Sequence, residues 1–422
     1  LKNKLFILVV LMLAVSLSLL GCGNESASGP VENEGDGTAT EEGGEQSVEG
    51  VIKIGAVLPM TGPAAVFGEK FQNAYTMAVE EINEAGGVRG GMKLELVIED
   101  SQERPEEGVK SAERLINDDD VLILTGGRSS GVTFAVARVA NQYQMPYLID
   151  HGSTDLATQS GWEYVFRFNP TAGMYSEALQ DFLINETDVS SVAYIQVDNA
   201  FGDAIYEYGL KDFFEEKGYD VLYEKYDENS LDLRPIMNNV KNFGPDAVIM
   251  TSGTDNEATQ IMRAAAEAGV NAKVFAGTGA GHSIMGFYEQ AGDLAEYVMS
   301  SAPWHGDKSQ DEWHEFYNNY RDRYGHSPGE HEVEGYVSIY IIADVLERAE
   351  SLNREDVRKA LAETDMMTIF GPIKFEDFDG YTNQNRGITE LSQWIDGELV
   401  SVYPEEVADR EPVYPFPSWN ER

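Results

Sequence analysis

Two short loops carry hydroxyls and backbone N–H groups in an arrangement that suits an anion. Gly127-Arg-Ser129-Ser130 lies between an apolar run at 121–125 and a helical pattern, and Gly152-Ser153-Thr154 follows a second apolar run at 146–149. Hydroxyls at a helix N-terminus can hold a carboxylate, because the unpaired N–H groups and the helix dipole favour negative charge there. Their plainer role is to cap the helix. Gly152, lacking a Cβ, would let the backbone approach a ligand. Gly127-Arg-Ser129-Ser-Gly131 also satisfies G-x-S-x-G between strand and helix, the setting of a hydrolase nucleophile. A triad could be drawn from Ser129 with Asp255 and His282 or His331. The chain has no evident HGGG-type oxyanion segment, and this short pattern arises readily in Gly/Ser turns, so no residue is assigned a catalytic role and the protein is read as a non-enzyme. Neither G-x-G-x-x-G nor G-x-x-x-x-G-K-[ST] occurs, and Gly277-Thr-Gly279-Ala-Gly281 ends on His282. The six histidines lack ligand spacing, so neither a metal nor a cofactor is expected.

The elements that must position these loops alternate. Val51 to Leu58 is a nearly continuous apolar run, as for a strand buried on both faces. Phe71, Ala74, Tyr75, Ala78 and Ile82 share a helix face, and Gly86-Gly87 stops that helix. Strands are expected near 94–98, 121–125 and 146–149, with helices near 105–116 and 131–143. A second series follows, with strands near 192–197, 221–226, 247–251 and 274–277, and a helix carrying Ile261, Ala264, Ala265 and Ala268. Past Ser300 the chain reads as helical, and from Ile373 it returns to short strands. Strands alternating with helices predict α/β architecture with parallel βαβ units. Ligands bind such sheets beyond the carboxyl ends of the strands, which selects the loops 61–68, 126–130, 150–154, 198–202, 252–255 and 278–282.

Composition narrows the partners. Thirty Lys and Arg stand against 73 Asp and Glu, a net charge of −43, which excludes a nucleic-acid partner that must be gripped by clustered basic residues. The acid excess reads as a solvated surface. The single cysteine excludes an intramolecular disulfide. Lys2 and Lys4 precede an apolar run from Leu5 to Leu20, too short for a comfortable membrane span and typical of a secretion signal. The run ends in Leu19-Leu20-Gly21-Cys22, which resembles the lipobox of bacterial lipoproteins. That resemblance implies a signal peptide over 1–21 and a lipidated Cys22, anchored to the outer face of the cell membrane, or on the periplasmic side if there is an outer membrane. Residues 22–50, rich in Gly, Ser, Thr and Glu, read as an acidic flexible tether.

Several phrases along the body point to one family. Ile52-Lys-Ile-Gly-Ala-Val-Leu-Pro-Met-Thr-Gly-Pro63, Ile82-Asn-Glu-Ala-Gly-Gly-Val-Arg-Gly90, Asp100-Ser-Gln102, the two hydroxyl loops and Asp198-Asn-Ala-Phe-Gly202 stand in order and at spacing. Together they resemble the substrate-binding proteins of branched-chain amino acid ABC importers. The resemblance implies two Rossmann-like lobes joined by a three-crossover hinge, the type I periplasmic-binding fold. Lobe 1 would be 51–169 plus 303–384, and lobe 2 would be 170–302 plus 385–422. It implies a small-molecule ligand (an amino acid, amide or organic acid) and a permease with its ATPase subunits as partners. The implied ligand contacts are Phe67, Ser129, Ser130, Gly152, Ser153, Thr154 and His331 from lobe 1, and Phe201, Thr254, Asp255 and Thr278 from lobe 2. Where amino-acid binders of this family place a carboxylate for the ligand ammonium, this chain has Thr278, and Asp198, Asp255 and Glu334 are candidate substitutes. A ligand-sensing receptor of the same fold, binding an amide or organic acid, is the alternative.

Overall fold

The computed structural model describes residues 50–228, 232–303, 311–387, 389–405 and 407–419. The expected signal peptide, Cys22 and all of the tether but Gly50 lie outside the described residues. Among the described residues, fifteen strands build two sheets. The first holds β1 (Val51–Leu58), β2 (Lys93–Asp100), β3 (Ile123–Gly126), β4 (Tyr147–Ile149), β5 (Val165–Arg167), β11 (Asp365–Thr368), β12 (Gly371–Phe378) and β13 (Tyr381–Asn385). The second holds β6 (Ser191–Val197), β7 (Asp220–Tyr226), β8 (Ala247–Thr251), β9 (Val274–Thr278), β10 (Met299–Pro303), β14 (Thr389–Ile395) and β15 (Glu398–Tyr403). The chain therefore passes between sheets three times: after β5, after β10 and after β13.

Both sheets have the same plan. The first runs β11-β12-β13-β5-β4-β3-β1-β2, and the second runs β15-β14-β10-β9-β8-β6-β7. In each, the first strand of the parallel block pairs with both the second and the third: β1 with β2 and β3, β6 with β7 and β8. The direction of strand addition reverses at β1/β3 and at β6/β8, and such switch points open a crevice at the carboxyl ends. The later strands pair antiparallel at the sheet edges, β12 on β13 and β14 on β10.

The apolar pattern explains the layers. Ile52, Ile54, Ala56 and Leu58 enter one core with Phe71, Tyr75, Ile82 and residues of the helix Glu330–Arg348, while Val57 joins Leu115, Val132 and Val136 on the opposite face. The second sheet is likewise covered on both faces, through Val192 and Tyr194 on one side and Ala193 and Ile195 on the other. The helical reading past Ser300 is corrected at its start: Met299–Pro303 is strand β10, held parallel to β9 and antiparallel to β14. A Ser-Ser-Ala stretch has little strand preference of its own, so its two neighbours impose the conformation.

Candidate functional site

The switch-point loops of the two sheets meet. After β3 the chain turns through Gly126 (φ 99°) and Gly127 (φ 107°) into the helix Ser130–Gln142. A side chain at Gly127 would strike the Tyr147 and Thr133 hydroxyls. Ser129 caps that helix in an extended conformation, its hydroxyl accepting from Val132 N at 3.4 Å. Ser130 is buried, and its Oγ has no hydrogen-bond partner. After β4, Gly152 N donates to Gly127 O at 2.8 Å, joining the two hydroxyl loops. A Cβ on Gly152 would overlap Thr133 Oγ1. Ser153 and Thr154 are buried beside it.

A residue that sequence reasoning missed holds the second loop. Arg167, at the end of β5, is fully buried. It donates from Nη1 to Gly152 O (3.1 Å) and Thr154 O (2.7 Å), from Nη2 to Thr158 Oγ1 (2.6 Å), and from Nε to Gln384 Oε1 (2.7 Å). Burial pulls its guanidinium down to about 10, opposed by the nearby Asp155 carboxylate. Gln384 donates onward to Asn169 O at 2.9 Å, so loop and hinge strands form one network.

Arg128 is the second missed residue. Its guanidinium lies 4.0 Å from the Phe67 ring centroid, pairs with Glu103 at 2.7 Å and donates to Gly253 O at 3.1 Å. Gly253 belongs to the loop after β8, so this bond links the two switch points directly.

Phe67 packs against His331 at 5.0 Å, and His331 lies 4.2 Å from His151, ring to ring. The lobe-1 residues singled out from sequence thus gather around the carboxyl ends of β1, β3 and β4. In the second sheet, Phe201 closes over Gly279, and Thr254 caps the helix Asp255–Ala268 by accepting from Glu257 N at 3.3 Å. Thr278 is fully buried; its hydroxyl joins Thr251 Oγ1 (2.7 Å), which in turn meets Tyr194 OH (2.7 Å). Of the three candidate acids, Asp255 accepts from Gln290 Nε2 at 2.8 Å, and Asp198 lies 3.0 Å from Lys225 at an exposed position. Glu334 is different. It is buried, 2.7 Å from His151 Nδ1, with Glu330 one turn before it. Burial raises Glu334, raises Glu330 to about 8 with help from Glu334, and lowers His151. Burial also raises Asp150 to about 7. Glu330 and His151 carried no sequence signal, since an acid at a helix start reads as a dipole partner and a lone histidine as solvated.

Two of the residues drawn into a triad with Ser129, Asp255 and His282, have other partners. Asp255 is engaged by Gln290, and His282 Nδ1 meets Ser252 Oγ at 3.1 Å within the second sheet's loops. Burial pushes His282 down to about 3. Gly277 serves close packing, because a Cβ there would overlap the His282 ring.

Residues 51–396 match the periplasmic binding protein family. A curated relative, Leu/Ile/Val-binding protein homolog 7 of Brucella melitensis, is 27% identical over 381 residues, which cover 85% of this chain and 93% of that protein. The branched-chain amino acid transporter substrate-binding protein LivJ of Streptococcus pneumoniae, solved with isoleucine, superposes with a TM-score of 0.73 at 20% identity, covering 86% of this chain and all of that one (100%). A solute-binding protein of an R. palustris ABC transporter, solved with benzoate, gives 0.72 at 18% identity, covering 86% and 99%. Among the described residues, no helix is long and apolar enough to cross a membrane.

Proposed function

The chain belongs to the periplasmic binding protein family, and from that premise we propose that it is the extracytoplasmic solute-binding component of an ABC importer. It captures a small amino acid or related ligand between its lobes and delivers it to a permease served by ATPase subunits. The lobes are 51–169 with 303–384, and 170–302 with 385–422. A lipid at Cys22 anchors the protein to the outer face of the membrane.

In the open form the ligand's carboxylate meets lobe 1 first. Ser129, Ser130 and the Gly152–Thr154 loop offer hydroxyls and N–H groups at the start of the helix Ser130–Gln142. Lobe 2 then closes by hinge motion and brings Phe201, Thr254, Asp255 and Thr278 to the ligand, while Phe67 and His331 wall the lobe-1 side. The closed form is selected because only it touches the ligand from both lobes. The observation that carries this reading is the direct bond from Arg128, at one switch point, to Gly253 O at the other (3.1 Å).

A thermal-shift screen of the full chain against amino acids, amides and small organic acids tests the proposal. A ligand that binds only the folded state raises the melting temperature by mass action. Saturable stabilisation by at least one such compound is expected. A flat response across the panel would sink the reading.

A further inference from the structure

Three acids come together at the lobe-1 wall of the cleft. Asp150 and Glu334 are 0% exposed and Glu330 is 6% exposed, and His151 beside them is 8% exposed. Three of their carboxyl oxygens, Glu330 Oε1, Glu334 Oε1 and Asp150 Oδ1, have no hydrogen-bond partner. The second oxygen of Asp150 accepts from Tyr75 OH, and that of Glu334 lies 2.7 Å from His151 Nδ1. Glu330 Oε1 points at the same nitrogen, 3.8 Å away. The cations felt at the cluster are engaged elsewhere: Lys70 lies 3.7 Å from Glu332, and Arg128 pairs with Glu103. Buried acceptors left unpaired are costly, and Glu330, Glu334 and His151 offer donor atoms within 4.8 Å of one another.

We propose that Glu330, Glu334 and His151 form a cation subsite that receives a primary ammonium group of the ligand. The inference rests on the solute-capture reading and fixes the class of solute. An ammonium carries three donors and no acceptor, which complements the unpaired carboxyl oxygens Glu330 Oε1 and Glu334 Oε1. The walls are aromatic: Phe71 lies 5.3 Å from His331 and 5.9 Å from His151, and Phe67 lies 5.0 Å from His331. Ring faces attract organic cations. A divalent metal could also use three donor atoms lying within 4.8 Å of one another, but it would gain nothing from those rings. His151 directly precedes Gly152, so the cation subsite adjoins the hydroxyl loops. Lobe 1 therefore carries both poles of a zwitterion, and charge recognition precedes closure by lobe 2. The position of Thr278 needs no acid, because the acid stands on the other lobe.

Calorimetric titration of the full chain tests this. The probes are leucine, isoleucine, valine and lysine, each beside its counterpart lacking the α-ammonium group, together with zinc chloride. The amino acid that binds should do so at least about a hundredfold more tightly than its counterpart. Glu330→Gln with Glu334→Gln should reduce that ratio to under about tenfold, and Asp198→Asn should leave it unchanged. Should the double variant unfold, the ratio on the unmodified protein decides alone. Equal affinity for the counterpart, an unchanged ratio in the folded double variant, or one-to-one zinc binding abolished by the double substitution would overturn the inference. Binding only of compounds without an ammonium group would overturn it while leaving solute capture standing. No binding by any probe, together with a flat thermal-shift screen, would overturn both.

Discussion

Replacing Arg167 with methionine is the sharpest perturbation of the framework, because one fully buried side chain holds the loop that would hold the ligand. Its removal takes the donor from the buried carbonyl Gly152 O, and one of two donors from each of Thr154 O, which keeps Ala157 N, and Gln384 Oε1. It also strips Asp155 of the positive charge that offsets part of its burial. Each orphaned buried acceptor costs about 1–3 kcal/mol, and breaking a buried charge pair about 3–5 kcal/mol. These terms overlap, and methionine avoids the cost of burying a charge, so the expected net loss is about 3 kcal/mol. Urea unfolding followed by tryptophan fluorescence reads it as a lower midpoint with an unchanged slope. Arg167→Lys should recover only part of the loss, since one ammonium cannot span acceptors fixed on four residues by a planar fork. Ligand affinity should fall in both variants. A loss under about 1 kcal/mol with affinity intact would refute the claim that Arg167 sets the loop.

Other perturbations follow from the same geometry. Gly152→Ala forces a methyl into the Thr133 hydroxyl, so it should cost about 1–3 kcal/mol by overpacking and weaken binding, read by denaturation and calorimetry. Arg128→Ala removes the bond to Gly253 O; it should cost about 0.5–1.5 kcal/mol of closed state, seen as a larger radius in solution scattering and a weaker affinity. The pH dependence has a definite sign. Glu330 (about 8), Asp150 (about 7) and Glu334 are all raised by burial, so the folded chain keeps protons that the unfolded chain has released. The stabilisation from Asp150 and Glu330 is complete below the ordinary carboxylate range and is lost as pH rises from there to about 7 and about 8, at about 1.4 kcal/mol per pH unit for each such proton. His151, lowered by burial, acts in the opposite sense, but only below its ordinary value of 6.5. Ligand-free protein should therefore lose stability between about pH 6.5 and 8 in a denaturation series; a rising or flat profile would contradict the buried acid cluster.

What the sequence disclosed depended on how local each signal was. The strand at Val51–Leu58 is legible because burial on both faces leaves an unbroken apolar run, and the helix at Ala65–Glu84 because its apolar residues recur on one face. Ser129 reads as a cap from its place before a helical pattern, and it does cap. Arg167 was hidden, since an arginine between two phenylalanines looks like a boundary residue and its partner Gln384 is 217 positions away. Arg128 reads only as a filler between Gly127 and Ser129, because its contact to Gly253 exists only once two sheets face each other. Glu330 and His151 gain meaning from each other, and nothing at either position announces the other 179 residues along the chain. Strand β10 is illegible for the same reason: its conformation belongs to its neighbours.

The most direct measurement of the central claim is calorimetric titration of the screened ligand into the full chain and into its Ser129→Ala/Thr154→Ala double variant. A hydrogen bond to a charged group contributes about 1.5–3 kcal/mol, so losing two should weaken binding by at least about a hundredfold while unfolding stays cooperative. Affinity within about threefold of the unmodified protein would show that the ligand does not rest on the hydroxyl loops, and the capture mechanism would fail.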